Sequence, residues 1–293
     1  MSVANLDART PPPRKPRRMR ASVLRATIIS LILIPISLLW IYPLLWMVSA
    51  SLKTNAEIFG GLGLIPAAPQ WQNYVRAWEQ ARIGQYFLNT VIITVSSVLL
   101  VIVITSMIGY VLGRYSFPGK RAIIGLFVAT VFLPTGYTII PVFEMVNRLG
   151  LADTLWGVIL AQSGGAHVLY ILLFAGYFSQ LPRELEEAAI MDGASFVRVF
   201  VQVMLPLAMP IVATVIILHF INSWNDFLLP LVLTLSRPDL RTLAVGMYAF
   251  RGEFYVDWSG MAAAASISLL PVILVFLFMQ RYFVEGIAGA VKQ

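Results

Sequence analysis

One segment of the chain carries hydrogen-bonding and aromatic side chains inside an otherwise apolar run. The run extends from residue 205 to residue 235, and the polar segment within it consists of Asn222, Ser223, Trp224, Asn225 and Asp226. Small-molecule sites combine apolar or aromatic walls with a few polar groups that fix the ligand. A neutral sugar presents hydroxyl groups and apolar ring faces, so it suits this mixture. These five residues are therefore candidates for a solute path.

Asp226 is the only acidic residue within any run of the sequence that is long enough to cross a membrane. Ionisable groups at membrane depth are rare and indicate a functional site by default. Asn222 and Asn225 are three residues apart, so they share one helix face, and Asp226 adjoins them. Two roles remain open for this polar stripe: contact with a transported solute, or hydrogen bonding between helices.

The residues that enzymes use are scarce. His167 and His219 lie in apolar runs without any cysteine, and they are not spaced as paired metal ligands, so we predict no metal site and no catalytic residue. The sequence also lacks the G-x-x-x-x-G-K-[ST] phosphate loop, because Gly119 and Lys120 are followed by Arg121. No cofactor is expected on this chain. Two alternatives to a plain solute path are a membrane-embedded hydrolase and an ion-coupled secondary transporter. One aspartate and two histidines within the apolar runs provide few groups for catalysis or for ion coupling.

The composition is that of a membrane protein. Of the 293 residues, 59% are hydrophobic and 12% are charged, whereas soluble domains carry about 25% charged residues. A membrane-spanning helix needs roughly 20 apolar residues. We predict an all-α bundle of six transmembrane helices, because six runs meet that requirement: residues 23–48, 87–112, 122–142, 155–178, 205–235 and 260–280. The first run is too long for a cleaved signal peptide.

The net charge of +7 indicates orientation rather than nucleic-acid binding. Lysine and arginine concentrate in residues 1–25 and in the loops that an even number of spans would place on the same side. The positive-inside rule then predicts a multi-pass protein with both termini in the cytoplasm. Residues 1–20 read as a disordered basic tail that contacts anionic lipid, and residues 21–293 as the six-span domain.

The segment between the fourth and fifth runs, residues 181–206, is hereafter called the knuckle. Glutamates in its first half favour a helix start, and Gly193 can supply the positive φ that ends that helix. Ser195 can cap a second helix. One face of that second helix is apolar, and Pro206 then opens the fifth run; the face consists of Phe196, Val199, Phe200 and Val203. The knuckle is therefore predicted to be a helix–turn–helix, with an apolar face that needs burial.

The knuckle resembles the EAA motif of the membrane subunits of bacterial ATP-binding-cassette importers. The matching positions are Glu187, Ala188, Ala189, Gly193, Leu205 and Pro206, with Val203 where that family usually has isoleucine. The resemblance implies that the knuckle forms a coupling helix, which seats in a cleft of a separate ATPase. ATP and Mg would then be bound by that ATPase. The resemblance also implies that this chain lies in the inner membrane of a bacterium.

Other segments are similar to the carbohydrate-uptake branch of this family, the MalG-like permeases. They are Asn89 with Thr90, residues 223–227 and the ending from residue 280 to residue 292. Through this resemblance Asn89 joins the solute-path candidates. The resemblance implies that a second homologous permease completes a heterodimer and that an external binding protein delivers a sugar. A non-sugar solute such as a glycerol-phosphate compound is the alternative.

Overall fold

The computed structural model describes residues 17–79, 82–132, 138–165, 167–252 and 255–291, and these residues are nearly all helical. In chain order the helices are α1 Arg17–Ala50, α2 Asn55–Phe59, α3 Gln72–Glu79, α4 Ile83–Arg114, α5 Lys120–Val131, α6 Ile139–Arg148, α7 Leu155–Ser163, α8 Val168–Gln180, α9 Glu184–Met191, α10 Phe196–Val199, α11 Leu205–Leu207, α12 Met209–Asn225, α13 Leu228–Leu233, α14 Leu243–Gly246 and α15 Trp258–Val291. A π-helical turn, Phe200–Met204, joins α10 to α11. The all-α prediction is confirmed for this part of the chain.

Three helical segments are each long and apolar enough to cross a membrane by themselves: Arg25–Ala50 within α1, Ile83–Arg114, and Trp258–Gln280 within α15. Two bent pairs meet the same requirement together. The pair α7 and α8 bends by 51°, and Phe196–Leu207 meets α12 at 79°. The described residues therefore contain three spans, or up to five if each bent pair is one span.

Two sequence predictions fall partly on undescribed residues. The third predicted span divides between α5 and α6, and residues 133–137 between them lie outside the described part, so six spans stay a prediction. Residues 1–16 of the predicted disordered tail also lie outside it, while residues 17–20 belong to α1.

The central helix of the bundle is α4, which packs most extensively against α8 and also against α7 and α12. Two glycines make the α4–α8 contact close. A Cβ at Gly109 would overlap Phe174, and a Cβ at Gly113 would lie 2.7 Å from the carbonyl oxygen of Ala175. Small residues four positions apart let membrane helices approach in this way, and the packing gain drives their association.

The helix α4 also defines the two ends of the molecule, because 32 residues of α-helix span about 48 Å. Its first residues pack on α3 and its last residues on the knuckle. At the α3 end, buried Asn73 donates hydrogen bonds of 2.9 Å to the carbonyl oxygens of Ser51 and Lys53. These bonds close the segment between α1 and α4 on itself, and α3 packs against α15 and α4, so the segment is fixed to the bundle at the opposite end from the knuckle.

Within the knuckle, the turn has the geometry that the sequence predicts. Gly193 has a φ of +80°, and the Ser195 side chain accepts a hydrogen bond from the backbone N–H of Arg198 at 3.4 Å. The helix that follows differs from the prediction, because it is broken into α10, the π-helical turn and α11. Pro206 lies within α11, and α12 begins at Met209 after the 79° bend. The bend lies next to Pro206 and Pro210, which lack the N–H groups of a continuous helix.

Candidate functional site

A buried polar network crosses the middle of the bundle, and Gln162 lies at its centre. The Gln162 amide nitrogen donates to Asp226 Oδ2 at 2.9 Å, and its amide oxygen accepts from the Ser223 hydroxyl at 2.7 Å. Ser223 Oγ also lies 3.2 Å from Thr94 Oγ1 of α4. Gln162 therefore joins the end of α7 to the end of α12, and Ser223 joins α12 to the central helix.

The network continues through the break between α7 and α8. His167 Nε2 lies 2.9 Å from the backbone oxygen of Gln162, and its ring stacks on Tyr170 with centroids 5.6 Å apart. The His219 ring meets the edge of His167 at 5.0 Å, and its Nε2 lies 2.6 Å from the Ser97 hydroxyl. These polar groups face one another, and His167 supplies a partner for one backbone oxygen of the interrupted segment, that of Gln162.

The structure separates the five candidates of the polar segment into two groups. Ser223 and Trp224 are each 4% exposed and bond to other helices, with Trp224 Nε1 donating to the backbone oxygen of Ser268 at 3.1 Å. Asp226 is half-buried beyond the end of α12. Asn222 and Asn225 are exposed. The two asparagines are therefore the members of the segment that the rest of this chain does not cover.

Asn222 and Asn225 differ in what they bond to. The Asn222 amide donates to the Tyr170 hydroxyl of α8 at 2.9 Å, and the Asn225 amide donates to the backbone oxygen of Ile221 in its own helix at 2.8 Å. Exposed amides on a membrane-spanning helix are costly against lipid, so such residues face a bundle interior or a water-filled cavity. Both amides are exposed in the single chain, so this face of the helix is expected to contact solute, water or a partner protein.

Asn89 lies apart from this network, near the first turn of α4. Its amide donates to the backbone oxygens of Asp239 and Arg241 at 2.9 and 3.0 Å, and it is buried. It fixes the loop between α13 and α14. In that loop the Arg237 guanidinium bonds to the exposed Asp239 side chain and holds the pKa of that carboxyl below its usual range.

The second candidate site is the knuckle. Among the motif residues, Glu187, Ala188, Gly193 and Pro206 are exposed, and Ala189 and Leu205 are half-buried. The same surface exposes a set of large apolar side chains, hereafter called the apolar patch: Leu185, Ile190, Met191, Phe196, Val197 and Val201. The apolar face predicted from the sequence is split, because Val199 and Phe200 are buried within the chain while Phe196 is 48% exposed.

The knuckle is attached to the bundle through Arg114, the last residue of α4. Its guanidinium forms an ion pair with Glu186 at 2.6 Å and donates to the backbone oxygen of Leu181 at 2.6 Å. Glu187, the next residue, is exposed, and its side chain makes no hydrogen bond in the described part of the chain, although its backbone N–H donates to the Arg183 oxygen at 3.1 Å. The two adjacent glutamates thus face different ways: Glu186 faces the bundle, and Glu187 faces away from it.

Sequence reasoning missed Gln162 and Arg114. Gln162 lies inside the fourth apolar run, and an amide in such a run is itself a signal of a buried hydrogen bond. Arg114 counted only as a basic residue of an inner loop. No sequence rule points from it to Glu186, which lies 72 residues away.

The fold is that of a chain of an ATP-binding-cassette transporter. It is similar to a solved chain described as the crystal structure of a bacterial ABC transporter involved in the import of the acidic polysaccharide alginate, with a TM-score of 0.74 and 24% sequence identity, covering 93% of this chain and 100% of that chain. At that identity the likeness establishes the fold.

Residues 86–289 match the family described as binding-protein-dependent transport system inner membrane component, and the chain belongs to that family. It is 37% identical over 92% of its length to the diacetylchitobiose uptake system permease protein NgcG of Streptomyces coelicolor, covering 88% of that protein. It is 33% identical over 85% of its length to the melibiose/raffinose/stachyose import permease protein MelC of Bacillus subtilis, covering 91% of that protein. The resemblance noted in the sequence is confirmed: the chain is a transport permease subunit and not an enzyme.

Proposed function

We propose that this permease translocates a carbohydrate that an external binding protein delivers. The observation that carries the solute class is the similarity, over nearly the whole chain, to two permeases named for the uptake of diacetylchitobiose and of melibiose, raffinose and stachyose. The exposed amides of Asn222 and Asn225 support it, because neutral amides exchange hydrogen bonds with sugar hydroxyls without attracting ions.

Within the solute path we assign different roles to the six candidates. Asn222 and Asn225 contact the solute, since they are the exposed members. Ser223, Trp224 and Asp226 hold α12 against its neighbours through the bonds described above, and Asn89 holds the loop between α13 and α14. This division favours the helix-bonding role for Asp226.

The knuckle docks on a separate ATPase, which binds ATP and Mg and drives the transport. Its exposed surface supports this assignment, because a large apolar patch beside an acidic group is typical of a protein–protein contact. The coupling residues are Glu187, Ala188, Ala189, Gly193, Leu205 and Pro206. The knuckle and both termini lie in the cytoplasm, and six spans cross the bacterial inner membrane.

The partners are a second homologous permease, a pair of ATPase subunits, the binding protein and membrane lipid. The first helix supports contact with lipid and the second permease, since none of the apolar window of Arg25–Ala50 is buried within this chain. A helix of that hydropathy, which this chain covers chiefly where α15 meets it, needs apolar surroundings along the rest of its length.

Competition for uptake tests the solute class. Vesicles that carry the assembled transporter and its binding protein are given a labelled oligosaccharide and an excess of unlabelled disaccharides, trisaccharides, glycerol-phosphate compounds or amino acids. We expect competition by oligosaccharides alone. Competition by glycerol-phosphate compounds instead would assign the permease to that solute class. Asn222→Ala and Asn225→Ala should lower uptake of the labelled sugar without lowering the amount of complex in the membrane.

A further inference from the structure

Arg114 makes more contacts than an ion pair requires. Besides Glu186, its guanidinium donates to the backbone oxygens of Phe178, Leu181 and Pro182 at 3.3, 2.6 and 3.2 Å. Phe178 lies in the last turn of α8, where its oxygen also accepts from the Leu181 N–H, and Leu181 and Pro182 follow in the connection to α9. The last carbonyls of a helix and those just beyond it lack the regular intrahelical donors. The Arg114 side chain is only 4% exposed and that of Glu186 only 14%, so this cluster is shielded from water.

The remaining carboxylate oxygen of Glu186 is also held by α4. The Tyr110 hydroxyl donates to Glu186 Oε1 at 2.6 Å. Tyr110 and Arg114 are four residues apart and therefore lie on the same face of α4. The Tyr110 ring packs against Phe178, Phe196 and Phe200 with centroid distances of 5.4, 5.5 and 5.2 Å. One face of α4 thus holds both halves of the knuckle and the end of α8.

We propose that Arg114 is a positioning residue that locks the knuckle to α4 through Glu186 and Tyr110, so that a displacement of the knuckle moves α4 and α8 with it. This inference rests on the proposed function, in which an ATPase acts on the knuckle. The lock is one end of a rigid helix whose middle carries Thr94 and Ser97, the residues that bond to the polar network. A movement at the knuckle is therefore delivered to the solute path through a continuous helix.

The side-chain chemistry of the lock is specific to arginine. A planar guanidinium presents five donors in a fixed arrangement, and here those donors meet one carboxylate and three carbonyls. A lysine carries the same charge but cannot reach all four groups at once. A neutral side chain at either position would leave the other charge buried without its partner.

The test is the number of solute molecules transported for each ATP hydrolysed, measured in vesicles with the full complex and its binding protein. The variants are Glu186→Gln and Arg114→Lys. Their matched controls are Glu144→Gln, which removes an exposed ion pair with Arg148, and Arg121→Lys, an exposed arginine seven residues further on. We expect the ratio to fall about fivefold or more in the two lock variants, the lower end of ordinary coupling between sites, and to stay unchanged in the controls.

A merely structural role for Arg114 predicts that uptake and hydrolysis fall together, so an unchanged ratio in both lock variants would overturn the inference. If Arg114→Lys yields no assembled complex, Tyr110→Phe removes one hydroxyl and keeps the packed ring, and we expect a smaller fall of the same ratio. An unchanged ratio in that variant and in Glu186→Gln would also overturn the inference. A wild-type complex that hydrolyses ATP without uptake would contradict the proposed function itself, which separates the two failures.

Discussion

Single side chains join whole helices in this bundle, and Gln162 is the clearest example. Its amide nitrogen and amide oxygen are both used, toward Asp226 and Ser223, at a point where α7 ends. Gln162 itself is buried, with only 8% of its surface exposed. Buried polar groups cost free energy when they lose a partner, so removing this amide would take one hydrogen bond from each of two groups at once.

The Asp226 carboxylate is expected to stabilise the bundle rather than to contact the solute. Asp226→Asn keeps the shape and one accepting oxygen but removes the charge, and charge-assisted hydrogen bonds are roughly twice as strong as neutral ones. We expect the melting temperature of the purified complex to fall, by the equivalent of about 1 kcal/mol, since polar contacts between membrane helices average about 0.6 kcal/mol and reach about 1.7 kcal/mol. Uptake per assembled complex should not change. Reduced uptake at an unchanged melting temperature would place Asp226 in the solute path.

Gln162→Leu should destabilise the complex more than Asp226→Asn does. The leucine leaves both Asp226 and Ser223 without the partner that they share, and an unsatisfied buried group costs about 1–3 kcal/mol. Gln280→Leu is the matched control, because that exposed amide bonds only to Leu277 of its own helix. The measurement is the melting temperature of the complex with Gln162→Leu compared with that of the complex with Gln280→Leu. Equal melting temperatures would show that the network carries no stability.

At the scale of elements, local geometry was predictable and distant pairing was not. Gly193 and Ser195 were recognised because a turn and a helix cap depend on neighbouring residues alone. The division of the fifth run was missed. Its bend depends on how α11 and α12 pack on other helices, as well as on the prolines.

Gly193→Val tests the turn of the knuckle. A β-branched residue at a φ of +80° is strained by roughly 1–3 kcal/mol, although no atom lies within 4 Å of the added Cβ. We expect transport to fall while the amount of inserted protein stays near that of the wild type. Gly193→Asn is the control, because asparagine tolerates this conformation far better than valine. Wild-type uptake in the valine variant would remove the role of the turn in coupling.

Gly113→Ala tests the close contact between α4 and α8. The new methyl group would lie 2.7 Å from the Ala175 carbonyl oxygen, and overpacking of this kind costs typically 1–3 kcal/mol. A lower melting temperature is expected. In Gly176→Ala, on the exposed side of α8, the added group meets no atom within 4 Å, so stability should be kept or slightly raised. A destabilised control with a stable Gly113→Ala would contradict the proposed packing.

At the scale of the whole molecule, composition and hydropathy were sufficient to predict a helical membrane protein. They were sufficient because lipid accepts only structures that satisfy their backbone internally, which for long apolar runs means helices. They could not predict which side chains join those helices. The bonds from Gln162 to Asp226 and from Arg114 to Glu186 connect residues 64 and 72 positions apart, and only the packed bundle brings them together.

The orientation of the molecule is tested by single cysteines, since the chain contains none of its own. Cysteines at Asp192 and Arg121 should react with a membrane-impermeant thiol reagent only after the cells are opened. A cysteine at Gln72, in the segment before α4, should react in intact cells whose outer layer admits the reagent. Labelling of Asp192→Cys in intact cells would put the knuckle on the wrong side for an ATPase.

The most direct test of the central claim is uptake by purified permease complexes in vesicles with and without the ATPase subunits. We predict that sugar uptake and ATP hydrolysis both require the ATPase, and that Glu187→Gln in the knuckle weakens both by impairing docking. Without the ATPase, neither a proton gradient nor a sodium gradient should drive uptake. Gradient-driven sugar uptake by the permeases alone would contradict ATPase-driven transport and assign the chain to the ion-coupled transporters.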